Sequence, residues 1–321
     1  MALRKTLRPS GGRLKDAGGK APQIKSPRKR RRLKHIAVLP SLITLTNGLC
    51  GFASISLASY GLGASWESEM FPVANFSFFA LSGYLILLGM LADLLDGHVA
   101  RISKSTSSFG AQLDSLCDVI TFGVAPAFLM LKVVEAYSGQ VAEMGVAPLP
   151  ARIAHLIAAV YVMCAIIRLA RFNVENKADD DRGGFVGLPS PPAAGIIVSL
   201  IVFHQNFLPA LAGRFFSPSG TLYAAIILVL PFVALFAGIL MVTRIPYPHL
   251  LKMILLGKKR FSTFLAILFV LPLMVWNIQI TLLLGFFVFA LCGPARWLVL
   301  AARERRRAQP EDLAEKDGEE G

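Results

Sequence analysis

The sequence predicts an all-α protein, a polytopic bundle of about eight transmembrane helices with its active site at the cytoplasmic end. Of the 321 residues, 55% are hydrophobic and only 17% are charged, whereas soluble domains are about 45–50% apolar and about 25% charged. Apolar runs close to the roughly 20 residues that a bilayer crossing needs recur along the chain. These runs begin near His35, Val73, Asp114, Ile153, Gly187, Leu222, Thr263 and Ile278.

The distribution of basic residues predicts the orientation of the bundle. The segment before Ile36 carries 13 Lys and Arg residues against one acid, Asp16. Because positive residues are retained on the inner side of a membrane, this segment and the N-terminus should be cytoplasmic. Eight crossings then place the C-terminus on the same side, together with the loop after the second run, residues 173–185 and residues 244–261. These segments hold most of the remaining basic residues.

The composition divides the chain into three regions. Residues 1–34 are a basic arm with little to bury, so we expect it to be disordered and to attract anionic membrane lipid. Arg-rich arms also occur in nucleic-acid-binding proteins and in transit peptides, but neither role would explain the acidic residues described next, and we expect no nucleic-acid partner. Residues 35–301 form the transmembrane domain, and 302–321 form a charged cytoplasmic tail.

Four aspartates flank the connection between the second and third apolar runs. Asp93 and Asp96 are three residues apart, and Asp114 and Asp118 are four apart. Residues at these spacings share one face of a helix. Because residues 102–109 form only a short connection, the two helices should be neighbours. The sequence therefore predicts that four carboxylates converge at one end of the bundle.

Converging carboxylates beside hydrocarbon need cations, or protons, to offset their repulsion. Oxygen ligands without His or Cys favour Mg²⁺ or Mn²⁺ over zinc, and four acids are enough for two ions. Two bridged ions suit phosphoryl transfer. The neighbouring residues fit a phosphate ligand, because Gly97 and Gly110 allow close backbone approach, Ala100 keeps the surface shallow, and Arg101 carries a permanent positive charge.

Two other roles are compatible with aspartates near a membrane surface. Solvated carboxylates can simply end two helices at the membrane surface. Acids also line ion paths in transporters and channels, but there they are typically dispersed over several helices near the middle of the membrane. Here they lie at one predicted end of two helices, which favours a single binding site.

Two further features of the sequence predict local structure. Asn47 is a polar residue within the first apolar run and should have a partner, either on another helix or in a ligand. The segment from Gly187 to Gly195 contains three prolines, which should bend the fifth helix or delay its start.

The aspartate segment resembles the signature of the CDP-alcohol phosphotransferases, D-x-x-D-G-x-x-A-R-x8-G-x3-D-x3-D, at all eight fixed positions between Asp93 and Asp118. The resemblance implies that an acceptor hydroxyl displaces CMP from a CDP-linked lipid such as CDP-diacylglycerol. It also implies roles for the matching residues: metal ligation by Asp93, Asp96 and Asp114, metal ligation and base catalysis by Asp118, and contacts to the CDP moiety by Gly97, Ala100, Arg101 and Gly110.

Residues 39–52, 109–126, 168–173 and 187–195 resemble the membrane-embedded branch of this family whose acceptor is L-serine. The resemblance implies phosphatidylserine as the product, a bacterial inner-membrane location and a homodimer. Arg168, Arg171 and Asn173 are either ordinary residues of a cytoplasmic helix end or contacts to the serine carboxylate or the lipid phosphate. Glycerol 3-phosphate, inositol phosphate and choline remain alternative acceptors.

Overall fold

The computed structural model describes residues 38–61, 77–103, 108–175, 185–209, 220–247, 272–274 and 277–319. These residues are almost entirely helical, which confirms the predicted fold class. Six of their helices are long and apolar enough to cross a membrane. One face of the first helix exposes large apolar side chains, as expected of a lipid-facing surface: Leu42, Leu45, Leu49 and Phe52.

The elements follow one another in the order expected from the apolar runs. The first two helices are α1 (Val38–Tyr60) and α2 (Phe78–Ser103). The third, α3, runs over Ser108–Asp118, is π-helical over Val119–Val124 and continues as Ala125–Glu143. The remaining helices are α4 (Ala151–Glu175), α5 (Ser190–Val202, then π-helical over Phe203–Phe207), α6 (Gly220–Val242) and α7 (Ile278–Glu319).

The predicted number of eight spans is matched only in part. The six candidate spans lie in α1, α2, α3, α4, α6 and α7. The run that begins near Gly187 forms the shorter α5. Most of the run that begins near Thr263, like the basic arm at 1–34, falls outside the described residues. The count of eight therefore remains a prediction.

Helix α5 lies at the centre of the bundle. Its residues from Ala193 to Val202 are all buried, and it packs against α2, α6 and α7. On one side of this core, α1 packs along α2 and against α3. The α1 and α3 backbones come very close together, because a side-chain carbon added at Gly51 would lie 2.8 Å from the Cα of Thr121. Small residues permit such close helix contacts in membranes.

A short turn precedes α5, and a two-stranded ribbon joins the segment before α5 to the segment that follows α6. Gly187 has φ +84°, a conformation that favours glycine, and its amide donates to the Ile245 carbonyl at 2.9 Å. Strand β1 (Phe185–Val186) pairs antiparallel with β2 (Pro246–Tyr247). The helix begins only at Ser190, so the predicted delay of the fifth helix is confirmed.

Tyr247 connects this ribbon to α7. Its hydroxyl donates a hydrogen bond of 3.0 Å to the Ala290 carbonyl. Burial of the ring, with a smaller contribution from Cys292, raises the pKa of Tyr247 to about 12. The hydroxyl therefore stays protonated near neutral pH and keeps its donor role.

Candidate active site

Three of the four predicted aspartate ligands come together where α2 ends and α3 begins. One carboxylate oxygen from each of Asp93, Asp114 and Asp118 lies within 4.8 Å of the other two. Asp118 is only 8% exposed, and Asp93 and Asp114 are half-buried. The Oδ1 atom of Asp114 is buried and has no hydrogen-bond partner within the described part of the chain.

Asp96 lies beside this group, and its carboxylate is held by α1. The Thr44 hydroxyl donates a hydrogen bond of 2.7 Å to Asp96 Oδ2. Asp96 is 5% exposed, and its negative charge acts on both Asp93 and Asp114. The close carboxylate group thus comprises three of the four predicted residues, and metal ligation by all four stays a prediction.

Asn47 connects α1 to the aspartate at the end of the first segment of α3. Its amide nitrogen donates a hydrogen bond of 3.0 Å to Asp118 Oδ1, and its backbone carbonyl accepts one of 2.8 Å from the Thr121 hydroxyl. Asn47 is fully buried. The prediction that this polar residue has a partner is confirmed, and the partner is on another helix.

Arg168 on α4 brings a buried positive charge to the same end of the bundle. It is 8% exposed, and its Nη1 donates a hydrogen bond of 2.7 Å to the Ser190 hydroxyl at the start of α5. Its charge interacts favourably with Asp118 and Asp93. The Nε group of Arg168 is buried and unpaired among the described residues, so a donor remains for a ligand.

Arg171 and Asn173 make contacts between helices. Arg171 Nη1 donates to the Val242 carbonyl at the end of α6, at 3.2 Å. Asn173 donates a hydrogen bond of 2.8 Å to Ser115, the neighbour of Asp114. These contacts hold α4 against α6 and α3, and the predicted substrate contacts of both residues remain predictions.

The four predicted CDP-contacting residues lie on the two helix segments that carry the aspartates. A side-chain carbon added at Gly97 would have no heavy atom within 4 Å among the residues that the structure describes, so nothing in the described part of the chain covers this position beside Asp96. Gly110 lies in the first turn of α3. Ala100 and Arg101 occupy the last turns of α2, where the structure describes only their backbone.

The residues at this site fit a divalent metal ion. Three carboxylates whose oxygens lie this close repel one another strongly unless a cation lies between them. The grouped donors are all hard carboxylate oxygens, the ligand type that Mg²⁺ and Mn²⁺ favour. The unpaired Asp114 oxygen supplies a ready ligand atom.

Sequence reasoning did not single out Thr44, Ser115 or Ser190 as residues of this site. Thr44 had a usable signal, because it lies three residues before Asn47 and so shares its helix face. Ser190 had none, since its contact with Arg168 joins two helices across an intervening loop.

The fold and the site together define a membrane-embedded helical protein with a carboxylate cluster suited to divalent cations at one end of its bundle. A match to a known protein family defines the class further. Residues 37–247, more than half of the chain, match the CDP-alcohol phosphatidyltransferase family. The chain belongs to this family.

Several relatives share a single description. The chain is 31% identical to a Helicobacter pylori protein described as CDP-diacylglycerol–serine O-phosphatidyltransferase, over 83% of this chain and 93% of that protein. Proteins with the same description from Methanocaldococcus jannaschii and Saccharomyces cerevisiae are 27% and 34% identical. These matches cover 67% and 49% of this chain, and 76% and 51% of the respective relatives.

Proposed function

We propose that this protein transfers the phosphatidyl group of CDP-diacylglycerol to the hydroxyl of L-serine, giving phosphatidylserine and CMP. The observation that carries the proposal is buried Arg168, whose charge interacts with the carboxylates of Asp93 and Asp118 and whose Nε has no hydrogen-bond partner among the described residues. Arg168 would thus offer a donor for the serine carboxylate at the same end of the bundle as the groups suited to the diphosphate and its metals. The descriptions of the relatives support the same acceptor.

We assign two Mg²⁺ or Mn²⁺ ions to Asp93, Asp96, Asp114 and Asp118. These carboxylates would hold the ions, which would supply positive charge to the diphosphate and to the departing CMP. Gly97, Ala100, Arg101 and Gly110 form the proposed surface for the CDP moiety. This assignment is supported by Gly97, where an added side-chain carbon would meet no atom of the described residues within 4 Å.

Asp118 is the proposed catalytic base. Its carboxylate accepts the proton of the serine hydroxyl while the serine oxygen forms a bond to the phosphorus that carries diacylglycerol. The bond from that phosphorus to the oxygen bridging to CMP breaks, and CMP leaves with the bonding pair. A correctly placed base typically contributes about 10²- to 10⁴-fold to such a rate.

Arg168 is the proposed partner of the serine carboxylate, because an arginine and a carboxylate form strong charge-assisted hydrogen bonds. Ser190 already holds one of its nitrogens, so the direction of the guanidinium is constrained before substrate binds. Arg171 and Asn173 complete the proposed acceptor region on the same helix, three and five residues closer to its end.

The proposed setting is a bacterial inner membrane, with both termini and the site on the cytoplasmic side. The basic arm, residues 1–34, would bind anionic lipid there, ahead of a catalytic domain at 35–301 and a charged tail at 302–321. We propose a homodimer, as the resemblance implies.

An assay of membranes that contain the protein tests the acceptor. CDP-diacylglycerol and Mg²⁺ or Mn²⁺ are supplied with one labelled acceptor at a time: L-serine, glycerol 3-phosphate, inositol phosphate or choline. In the reaction with L-serine we expect labelled phosphatidylserine and an equal amount of CMP. We expect neither a labelled lipid nor CMP with the other three acceptors. Formation of a different labelled lipid in place of phosphatidylserine would exclude L-serine as the acceptor. The absence of CMP with all four acceptors would exclude the transfer reaction itself.

A further inference from the structure

Helix α1 carries two polar side chains on one face, and each is hydrogen-bonded to a different aspartate of the site. Thr44 donates to Asp96 on α2, and Asn47, three residues further along, donates to Asp118 on α3. Both donors are buried. A single turn of α1 therefore contacts both helices that supply the carboxylates.

The chemistry of the two donors preserves the charge of the site. A threonine hydroxyl and an asparagine amide are neutral, so each orients a carboxylate without cancelling its negative charge. Each hydrogen bond engages one oxygen, Oδ2 of Asp96 and Oδ1 of Asp118, so the second oxygen of each carboxylate is not used by that bond. An arginine or lysine at either position would instead compete with a metal ion for the same charge.

Packing fixes the position of Asn47. A side-chain carbon added at Gly89 of α2 would lie 3.0 Å from Asn47 Oδ1 and 2.7 Å from the methyl group of Thr121. The Thr121 hydroxyl also binds the Asn47 backbone carbonyl. Asn47 is thus enclosed between α2 and α3, and its amide has little freedom to turn away from Asp118.

We propose that Thr44 and Asn47 are positioning residues that hold Asp96 and Asp118 in the orientation that binds divalent metal. The inference rests on the proposed metal site. Partners that hydrogen-bond a metal ligand orient it, and their removal typically lowers metal affinity or activity by about 10- to 100-fold. The first helix of the bundle is then part of the metal site although it supplies no carboxylate.

Three variants of the purified protein test the proposal by Mn²⁺ binding, measured from the electron paramagnetic resonance signal of free Mn²⁺. Thr44→Val removes the hydroxyl at nearly constant volume, and Asn47→Ala removes the amide. Each should weaken Mn²⁺ binding by about 10-fold or more. Thr44→Ser keeps a hydroxyl and should restore most of the affinity that Thr44→Val loses.

Ser54→Ala is the matched control. Ser54 lies on α1, is as buried as Asn47, and makes a hydrogen bond of 2.7 Å to Ser82 on α2, but it touches no aspartate of the site. It should lower the temperature of thermal unfolding without weakening Mn²⁺ binding. The same unfolding measurement establishes that Thr44→Val and Asn47→Ala are folded when they are titrated.

The outcomes distinguish failure of the positioning role from failure of the proposed metal site. Wild-type protein that binds no Mn²⁺ would overturn the proposed metal site and this inference with it. Wild-type binding that Thr44→Val and Asn47→Ala leave unchanged would overturn only the positioning role. Equal weakening of Mn²⁺ binding by Ser54→Ala would also overturn the positioning role, because the loss of any hydrogen bond along α1 would then be enough to weaken binding.

Discussion

Asn47 on α1 donates a hydrogen bond of 3.0 Å to Asp118 on α3, although the two residues are 71 positions apart in the chain. Neither side chain is exposed by more than 8%. Burial of an aspartate in a membrane bundle is costly unless its oxygens are paired or bind a cation. This contact pairs one oxygen of Asp118 with a neutral donor, so the contact itself does not cancel the negative charge that base catalysis and metal binding require.

Replacement of Asp118 by Asn should lower turnover more than it weakens nucleotide binding. The amide cannot accept the serine proton, so we expect kcat to fall by about 10²- to 10⁴-fold. The measurement is CMP release at saturating CDP-diacylglycerol and serine, compared with binding of a CDP-linked lipid. Near-normal turnover in the variant would exclude Asp118 as the base.

Loss of a grouped carboxylate should change the metal dependence. Asp93→Asn or Asp114→Asn should raise the Mg²⁺ or Mn²⁺ concentration for half-maximal activity by at least about tenfold, since even the partners of metal ligands contribute that much. Chelation of the metal should abolish activity in the wild type. Glu135→Gln is the control, because Glu135 lies on α3 but is exposed and paired with Lys132. A titration for Asp114→Asn that matches this control would argue against ligation.

Arg168→Ala should impair the use of serine more than the use of the liponucleotide. A hydrogen bond to a charged group contributes about 1.5–3 kcal/mol, so the KM for serine should rise by about 10- to 100-fold. Steady-state kinetics with each substrate varied in turn provide the measurement. The control is Arg152→Ala, an exposed residue at the opposite end of α4. A proportional rise in both KM values would contradict a specific role in acceptor binding.

Gly187→Ala should destabilise the turn before α5. Gly187 has φ +84°, and an added carbon would lie 2.5 Å from the Met241 carbonyl oxygen. We expect a loss of about 1–3 kcal/mol, visible as a lower thermal unfolding temperature in detergent. Gly139→Ala is the control, since a side-chain carbon added at Gly139 would have no described atom within 4 Å and alanine favours a helix over glycine by about 0.5–1 kcal/mol. Equal unfolding temperatures for the two variants would contradict the strain argument.

Much of the site follows from local sequence spacing. Asp93 lies three residues before Asp96, and Asp114 four before Asp118, so helix periodicity alone predicts which carboxylates share a face. The short connection then predicts that the two faces meet, and the oxygens of Asp93, Asp114 and Asp118 do lie together. Helix spacing did not predict that Asp96 lies outside this close group, because its position depends on a contact with Thr44 of a third helix.

The amino-acid sequence alone was enough to predict the helical class, the apolar character of the spans, the family, and the residues from which the carboxylate site is built. These properties arise from composition and from spacing within one or two turns of helix. Only the tertiary structure decided that Thr44 and Asn47 hold two of the aspartates and that Ser190 holds Arg168. Such pairs join helices that are distant in the chain, and the hydrogen bonds form only once close packing has set the distances between those helices.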